Sequence, residues 1–568
     1  MEDGAHALAV DGGKAVSSGP AGNAALWYAD DGFLPEKHGI NGRRVAGASF
    51  LRGYAQHAVA DELVALVGSD AEARTFAEAV ASVAPDRPVR SLSRHFPLRM
   101  APLDTIFYPS PNFGPELWRR VRHGAGAYSI CGLTHTTASL GVMQGFFDLC
   151  AAPHGGWDAV ICTSTAVRAS VRAQVDLIDD YLARHLGATR PARFQTPVVP
   201  LGLDTAAFEP DPEAGADLRK RIGLGAGDVL LATLARLSPN VKFDPLPLYL
   251  AIADARQRVG DRRLHLAVCG VFDSGHAKRV FQDGAIALLG EGAVTFLDGA
   301  LVEDRRATLS AADMFVFPID NVQETFGLAP VEAMAAGLPV ITSDWDGMRD
   351  TVTPEVGFRV PTRTLRAADA AEEALRHHAE IDNYPRYVGA VSGMTEVEVA
   401  ALADRIVDLA LNPSLRRKMG TAGQARARAL YDWAAVVPQM QAVFADLSAR
   451  RQREGAGAIR LEADALPVAP SPFRLFAAWP SQQVDFARDR IVAVPGQGVA
   501  AIFAARDLKR IGRSVQTEAE LTAVLQVVAS GGAAGVSLGD IVAATRLRPM
   551  MVRRALIWLM KYALARRF

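Results

Sequence analysis

Short apolar runs separated by longer stretches of helical period mark the N-terminal part of the chain, at residues 24–28, 105–108, 128–131, 159–162 and 196–200. The pattern restarts at 229–233, 264–269, 294–297, 314–317 and 339–342. Runs this short, alternating with helical segments, read as strands of βα units that lie parallel in one sheet with helices on both faces. Two such series predict an α/β fold of two doubly wound domains, 24–205 and 228–453. The intervening 206–227 carries Pro210, Pro212 and several Gly and Asp residues, the chemistry of a linker. Two such sheets facing each other leave a cleft at the carboxyl ends of their strands, where sheets of this kind bind ligands. Residues 1–23, rich in Gly, Ala, Ser and Asp, read as a disordered tail.

A second Pro- and Gly-rich segment, 454–480, precedes a change of pattern. Thr517 and Glu520 form a capping box ahead of Leu521, Val524, Leu525 and Val528, whose spacing is helical. Ser537 and Asp540 open a second helix, and a third runs from about Pro549 to Tyr562 with Val552, Leu556 and Leu559 as its apolar stripe. Three short helices with a tight second connection predict a small, mostly α, winged-helix-like module over 481–568.

Composition narrows the class. At 568 residues the chain exceeds a single core, and 49% hydrophobic with 22% charged residues is the make-up of a packed globular protein. Lys and Arg number 61 against 62 Asp and Glu, so coating of nucleic acid by the whole chain is excluded and any polyanionic partner must meet one region. Cys131, Cys150, Cys162 and Cys269 form no CxxC pair, which argues against a zinc site or disulfide framework and for a reducing compartment. The N-terminal stretch lacks the basic start and apolar core of a secretory signal, and no apolar run is long enough to span a bilayer. The expected location is cytoplasmic, with any membrane contact peripheral at the inner face.

The richest chemistry lies in 317–340, read as a strand, a polar loop, a short helix and another strand. Pro330 suits the first helical turn, and Gly337 followed by Pro339 suits its end. N–H groups around Thr325, Phe326, Gly327 and Leu328 are then expected to point free from a helix N-terminus into the cleft, an arrangement that binds phosphate. Glu324 and Glu332 flank that anion site. A carboxylate beside a diphosphate is repulsive, but an ionised Glu accepts hydrogen bonds that sugar hydroxyls donate. Glu324 would then hold a sugar and Glu332 a ribose. The plainer alternatives are a solvated loop residue and a carboxylate favoured by the helix dipole.

Glu324 and Glu332, with Phe326-Gly327-Leu328 and the run Glu332-Ala-Met-Ala-Ala-Gly-Leu-Pro-Val340, resemble the E-x7-E signature of retaining glycosyltransferases of family 4, which have the GT-B fold of two Rossmann-like domains. The resemblance extends over about residues 24–450. It implies that a basic pair after the first strand of the second domain, here Arg236 and Lys242, grips the donor diphosphate as its charge grows on leaving. Preorganised cations of this kind do what a metal does in other transferases. The resemblance also implies a cleft histidine, matched by His135, and a nucleotide-contacting glycine, matched by Gly270. Asn41 and Gly42 stand where the family has a glycine-rich turn near the donor phosphate. The segment Val199-Pro200-Leu201-Gly202-Leu203-Asp204 looks like the family's hinge, with Leu201 in place of Asn.

The implied activity is transfer of a sugar from a nucleotide-sugar donor to a hydroxyl acceptor, saccharide, lipid-linked or protein, with retention of configuration. The nucleotide-sugar is a substrate, so no cofactor is expected. No metal is expected either: Asp344-Trp345-Asp346 spells the D-x-D of metal-binding transferases, but it follows the strand after Gly337, where the family has a Gly-Gly loop. From Arg546 to Phe568 the chain carries Arg546, Arg548, Arg553, Arg554, Lys561, Arg566 and Arg567 without one acid. That patch suits an acidic protein or an anionic membrane, and DNA less well. A second class of reading makes the protein a sugar-nucleotide-responsive regulator acting through this helix-turn-helix.

Overall fold

The computed structural model describes residues 22–34, 42–95, 105–462, 464–506 and 516–568. Asn41, assigned above to the donor site, lies outside them, as does 1–21 of the segment read as a tail. Asn23, at the end of that segment, is anchored: its side chain donates to Glu62 O and accepts from Tyr54 Oη at 2.9 Å.

The first sheet contains β1 (Ala25–Trp27), β2 (Leu63–Val67), β3 (Val89–Ser93), β4 (Thr105–Tyr108), β5 (Ser129–Leu133) and β6 (Ala159–Ile161), all parallel in the order β3-β2-β1-β4-β5-β6. The second contains β7 (Val229–Leu237), β8 (Leu264–Phe272), β9 (Val294–Asp298), β10 (Met314–Phe317), β11 (Val340–Ser343) and β12 (Gly357–Val360), in the order β12-β11-β10-β7-β8-β9 and again parallel. Each order reverses once, between β1 and β4 and between β7 and β10, which creates a crevice at the carboxyl ends of those strands. These are two Rossmann-like domains in the GT-B arrangement. The inner strands β2 and β10 are continuous apolar runs, buried along their whole length because helices cover both faces.

Three expectations need correction. Residues 196–200 form no strand: the segment touches β6 only through the isolated bridges Ala159↔Gln195 and Cys162↔Val198, since Pro197 and Pro200 have no N–H to give a ladder. The stretch read as a linker, 206–227, holds the helix Pro212–Arg221, capped by Asp211 and packed so closely that a Cβ on Gly215 would lie 2.7 Å from Ser310 O. It is part of the second domain, with Leu218 in its core. The helix Trp433–Glu454, placed above in the second domain, returns to the first, where Trp433, Val436, Met440, Phe444 and Leu447 join its core.

Two crossings between the domains run side by side. Leu203 N donates to Tyr431 O at 2.9 Å and Trp433 N to Leu203 O at 3.1 Å, while Asp432 Oδ2 accepts from Thr205 N and Oγ1. The hinge is therefore a pair of segments strapped to each other.

Residues 469–568 form a separate compact unit. Helices Glu518–Ser530, Leu538–Thr545 and Pro549–Lys561 follow the sequence reading, and both capping boxes are made. A three-stranded antiparallel sheet, centred on Arg490–Ala493 with Val536–Ser537 and Ala565–Arg567 beside it, completes a core of its own around Leu521, Val524, Val552, Leu556 and Leu559.

Candidate active site

The loop between β10 and the helix Leu328–Ala335 is shaped by two glycines. Gly327 caps the helix at φ +84°, the left-handed region, and a Cβ there would stand 2.6 Å from Met348 Sδ. Gly347 passes so close that its Cβ would be 2.4 Å from Phe326 Cα. Phe326 itself points into the core, edge-on to Tyr431, and Leu328 packs against the same cluster. Both side chains anchor the turn, so only their backbone is left for a ligand.

That turn folds Glu324 back over its own helix N-terminus. Oε1 accepts from the N–H of Thr325 at 3.2 Å, Phe326 at 3.4 Å and Gly327 at 2.9 Å, while Oε2 accepts from Lys242 Nζ. The N–H groups expected to stand free are therefore held by a carboxylate. Burial pushes the Glu324 carboxyl up, but the Lys242 ammonium and the backbone donors outweigh it and hold the group below the usual range. An anionic group fits the electrostatics of this pocket; the chain supplies one itself.

Of the other residues singled out from the sequence, Arg236 and Glu332 lie beside this centre. Arg236, exposed near the end of β7, donates to Gln323 Oε1 at 2.6 Å, and Gln323 Nε2 donates to Tyr384 Oη. Glu332 is half-buried, and desolvation raises its carboxyl against the pull of Arg305 and Lys242. Gly270 lies in β8, where a Cβ would meet Ala235 O at 2.0 Å and where Gly299 crosses, so strand packing alone requires glycine there. Gly42 begins the helix Gly42–His57 rather than ending a loop.

Across the cleft, His135 follows β5. Its Nε2 lies 3.1 Å from Pro109 O, and its carbonyl accepts from Thr325 Oγ1 at 3.1 Å. Thr163 Oγ1 in turn donates to Thr325 O at 3.0 Å. Thr325 thus ties the two domains together through its hydroxyl and its carbonyl.

Residues not foreseen from the sequence extend this tie. Asp350 accepts from Thr165 N and Oγ1, both at 2.6 Å, at the first residue of the helix Thr165–Leu186 of the other domain, which Ser164 caps. Ser164 Oγ donates to Asp346 Oδ1 at 3.0 Å. Asp346 occupies φ +41°, unusual for a residue with a side chain. Burial, followed by the charge of nearby Glu324, pushes its carboxyl up to about 8, so it is largely protonated at neutral pH. Its D-x-D neighbour Asp344 faces elsewhere and pairs with Arg359 at 3.2 Å. The run Thr163-Ser164-Thr165 after a strand was a helix-start signal, but nothing in it pointed to a partner in the other domain.

The strand orders define a GT-B fold, with the Lys242–Glu324 pair at a helix N-terminus of its second domain. Residues 216–390 match the family model described as glycosyl transferases group 1, a stretch that contains Arg236, Lys242, Gly270, Glu324 and Glu332 but not His135. Over 184 residues the chain is 33% identical to the GDP-mannose-dependent alpha-(1-6)-phosphatidylinositol monomannoside mannosyltransferase of Mycobacterium tuberculosis, covering 31% of this chain and 46% of that one. It is also 33% identical over 248 residues to the D-inositol 3-phosphate glycosyltransferase of Geodermatophilus obscurus, covering 40% of this chain and 52% of that one. The chain thus spans about half the length of these curated relatives. Among solved structures, Anabaena HepE in complex with UDP superposes with a TM-score of 0.48 at 16% identity, covering 75% of this chain and all of that one.

Proposed function

We propose that the protein is a glycosyltransferase that moves a sugar from a nucleotide-sugar to a hydroxyl acceptor with retention of configuration and without a metal. The observation that carries this reading is the contact of Lys242 with Glu324 over the helix N-terminus, at the crevice of the second sheet. Arg236, Lys242 and the N–H groups of residues 325–327 are the groups that would receive a diphosphate. As Glu324 turns from those N–H groups to the sugar hydroxyls, it releases them to the phosphate whose charge grows as the bond to the sugar breaks. Glu332 would accept from the ribose. Departure of the diphosphate leads, the acceptor attacks from the same face, and a donor phosphate oxygen takes its proton. His135 would face the reacting carbon.

The name of the mycobacterial relative makes a GDP-sugar the first donor to try. The 469–568 unit, a winged-helix-like module in this reading, would dock the enzyme on an acidic protein or an anionic membrane rather than DNA, on the cytoplasmic side. Among the described residues no helix is long and apolar enough to cross a membrane, and Phe473 and Trp479 are 84% and 79% exposed. A thermal-shift panel of UDP, GDP and ADP with their sugars tests the donor site. Stabilisation by one nucleoside diphosphate, lost in Lys242→Ala, is expected; no shift with any of them would contradict the proposal.

A further inference from the structure

After β12 the chain leaves the parallel sheet. Thr362–Thr364 and Thr395–Val397 pair antiparallel and enclose residues 365–394, which hold the helices Ala371–His378 and Tyr384–Gly393. The start of the second helix is well fixed: Asn383 caps it by accepting from Arg386 N at 3.1 Å, and Pro385 lies in its first turn.

This helix is seated from several sides. Val388, fully buried, packs with Val241 of the loop after β7 and with Ala138 of the first domain, and Tyr384 and Tyr387 lie against the same cluster. Asn321, also fully buried, donates through Nδ2 to Asn240 O at 3.0 Å and to Val388 O at 3.4 Å, and its Oδ1 accepts from Gln323 N at 2.9 Å. A Cβ on Gly389 would lie 3.1 Å from Asn240 Cβ, so helix and loop touch. The loop that carries Lys242 and the loop that carries Glu324 are thus both held to one helix.

Arg236 is the exposed member of the basic pair, and a long side chain of this kind loses rotamer freedom when it grips a ligand. Here it is already held. Its Nη2 donates to Gln323 Oε1 at 2.6 Å, and Gln323 Nε2 donates to Tyr384 Oη at 3.0 Å. A guanidinium carries several N–H groups, so the one given to Gln323 leaves others for a phosphate. Because Gln323 directly precedes Glu324, the tether keeps the guanidinium beside the helix N-terminus, and an anion meets it at a smaller entropic cost. Resting on the proposed donor site, we infer that Tyr384 is a positioning residue, which acts through Gln323 to hold Arg236 where the donor diphosphate binds. The helix Tyr384–Gly393 supplies the fixed end of this relay.

Calorimetric titration of the full chain with GDP, UDP and ADP tests it. Tyr384→Phe keeps the ring in its cluster and removes the hydroxyl; Gln323→Leu keeps the bulk and removes both contacts. Each should weaken the nucleoside diphosphate that the parent protein binds by about threefold to tenfold, the effect of freeing one long side chain. In an Arg236→Ala background neither change should matter further, a coupling that a merely structural role would not produce. Equal losses with and without Arg236, or no loss in either variant where Arg236→Ala alone shows one, would overturn the inference and leave the donor site standing. Parent protein that binds none of the three, or Arg236→Ala that binds as the parent does, would contradict the donor site itself and the inference with it. Should one variant fail to fold, the other decides.

Discussion

Lys242 Nζ and Glu324 Oε2 are joined as an ion pair directly over the backbone N–H groups of Thr325, Phe326 and Gly327. The carboxylate therefore occupies the same donors that a phosphate would use, and the two anions compete for one cation and one helix end. Lys242→Ala should weaken nucleoside diphosphate binding by about tenfold to a hundredfold, the value of one charge-assisted contact of roughly 1.5 to 3 kcal/mol. Glu324→Gln should bind the free diphosphate at least as well as the parent while turning over far more slowly. Calorimetry beside a turnover assay separates the two, and equal loss of diphosphate binding in both variants would contradict this division of roles.

Asp346 should make stability fall as pH rises. Its carboxyl is pushed up to about 8 in the folded protein, against an ordinary value near 4 in the unfolded chain, so between those values the folded state holds the extra proton. The unfavourable contribution grows from about pH 4 and is complete above about pH 8. Asp346→Asn keeps an acceptor for Ser164 and tolerates positive φ. Its Tm should exceed that of the parent at pH 8 to 9, with the gap closing toward pH 4; parallel Tm curves for the two proteins would rule this out.

Breaking the tie between domains should open the cleft without unfolding either half. Asp350→Ala removes the acceptor for Thr165 N and Oγ1 while Ser164 still caps the helix Thr165–Leu186. The expected loss is about 1 kcal/mol of stability, the net worth of a hydrogen bond, together with a larger radius of gyration in solution scattering. An unchanged scattering profile would show that the hinge and the contacts of Thr325 and Ser164 hold the domain angle without Asp350.

Much of the second domain was legible because its signals are local. The wholly apolar run of β10 and the Gly337-x-Pro339 stop mark the strand, loop and helix that carry Glu324 and Glu332. The folding back of Glu324 was not legible, since it depends on the left-handed turn at Gly327 packed against Met348. The apolar face of 433–454 announces burial but not which domain it meets; only the approach of Gly53 and Gly202 to Trp433 assigns it to the first. Asp211 followed by Pro212 was a helix start hidden among residues that also make linkers. Leu63–Val67 carries a strand signal as strong as the others, whereas in β12, an edge strand, Gly357 and the exposed Arg359 break the apolar run.

The 469–568 unit should fold alone. Among the described residues its core draws on none before 484, and two of its helices carry their own capping boxes. Cutting after Val468 should leave a protein that melts cooperatively and binds donor as the full chain does, and the released unit should melt separately. If the unit meets an anionic membrane, binding to phosphatidylserine vesicles should fall in Arg553→Glu/Arg554→Glu and in high salt, since exposed charges are screened over about 8 Å at physiological ionic strength. Loss of donor binding on truncation would show that the unit is part of the catalytic body.

The most direct measurement of the central claim is nucleotide-sugar hydrolysis followed by mass spectrometry. Purified full-length protein, incubated in turn with UDP-, GDP- and ADP-sugars, should release free sugar and nucleoside diphosphate from one of them. Release should fall at least tenfold in both Lys242→Ala and Glu324→Gln. Absence of release from every donor, or equal release by the parent protein and both variants, would contradict the assignment of the Lys242–Glu324 centre as the place where the donor bond is broken.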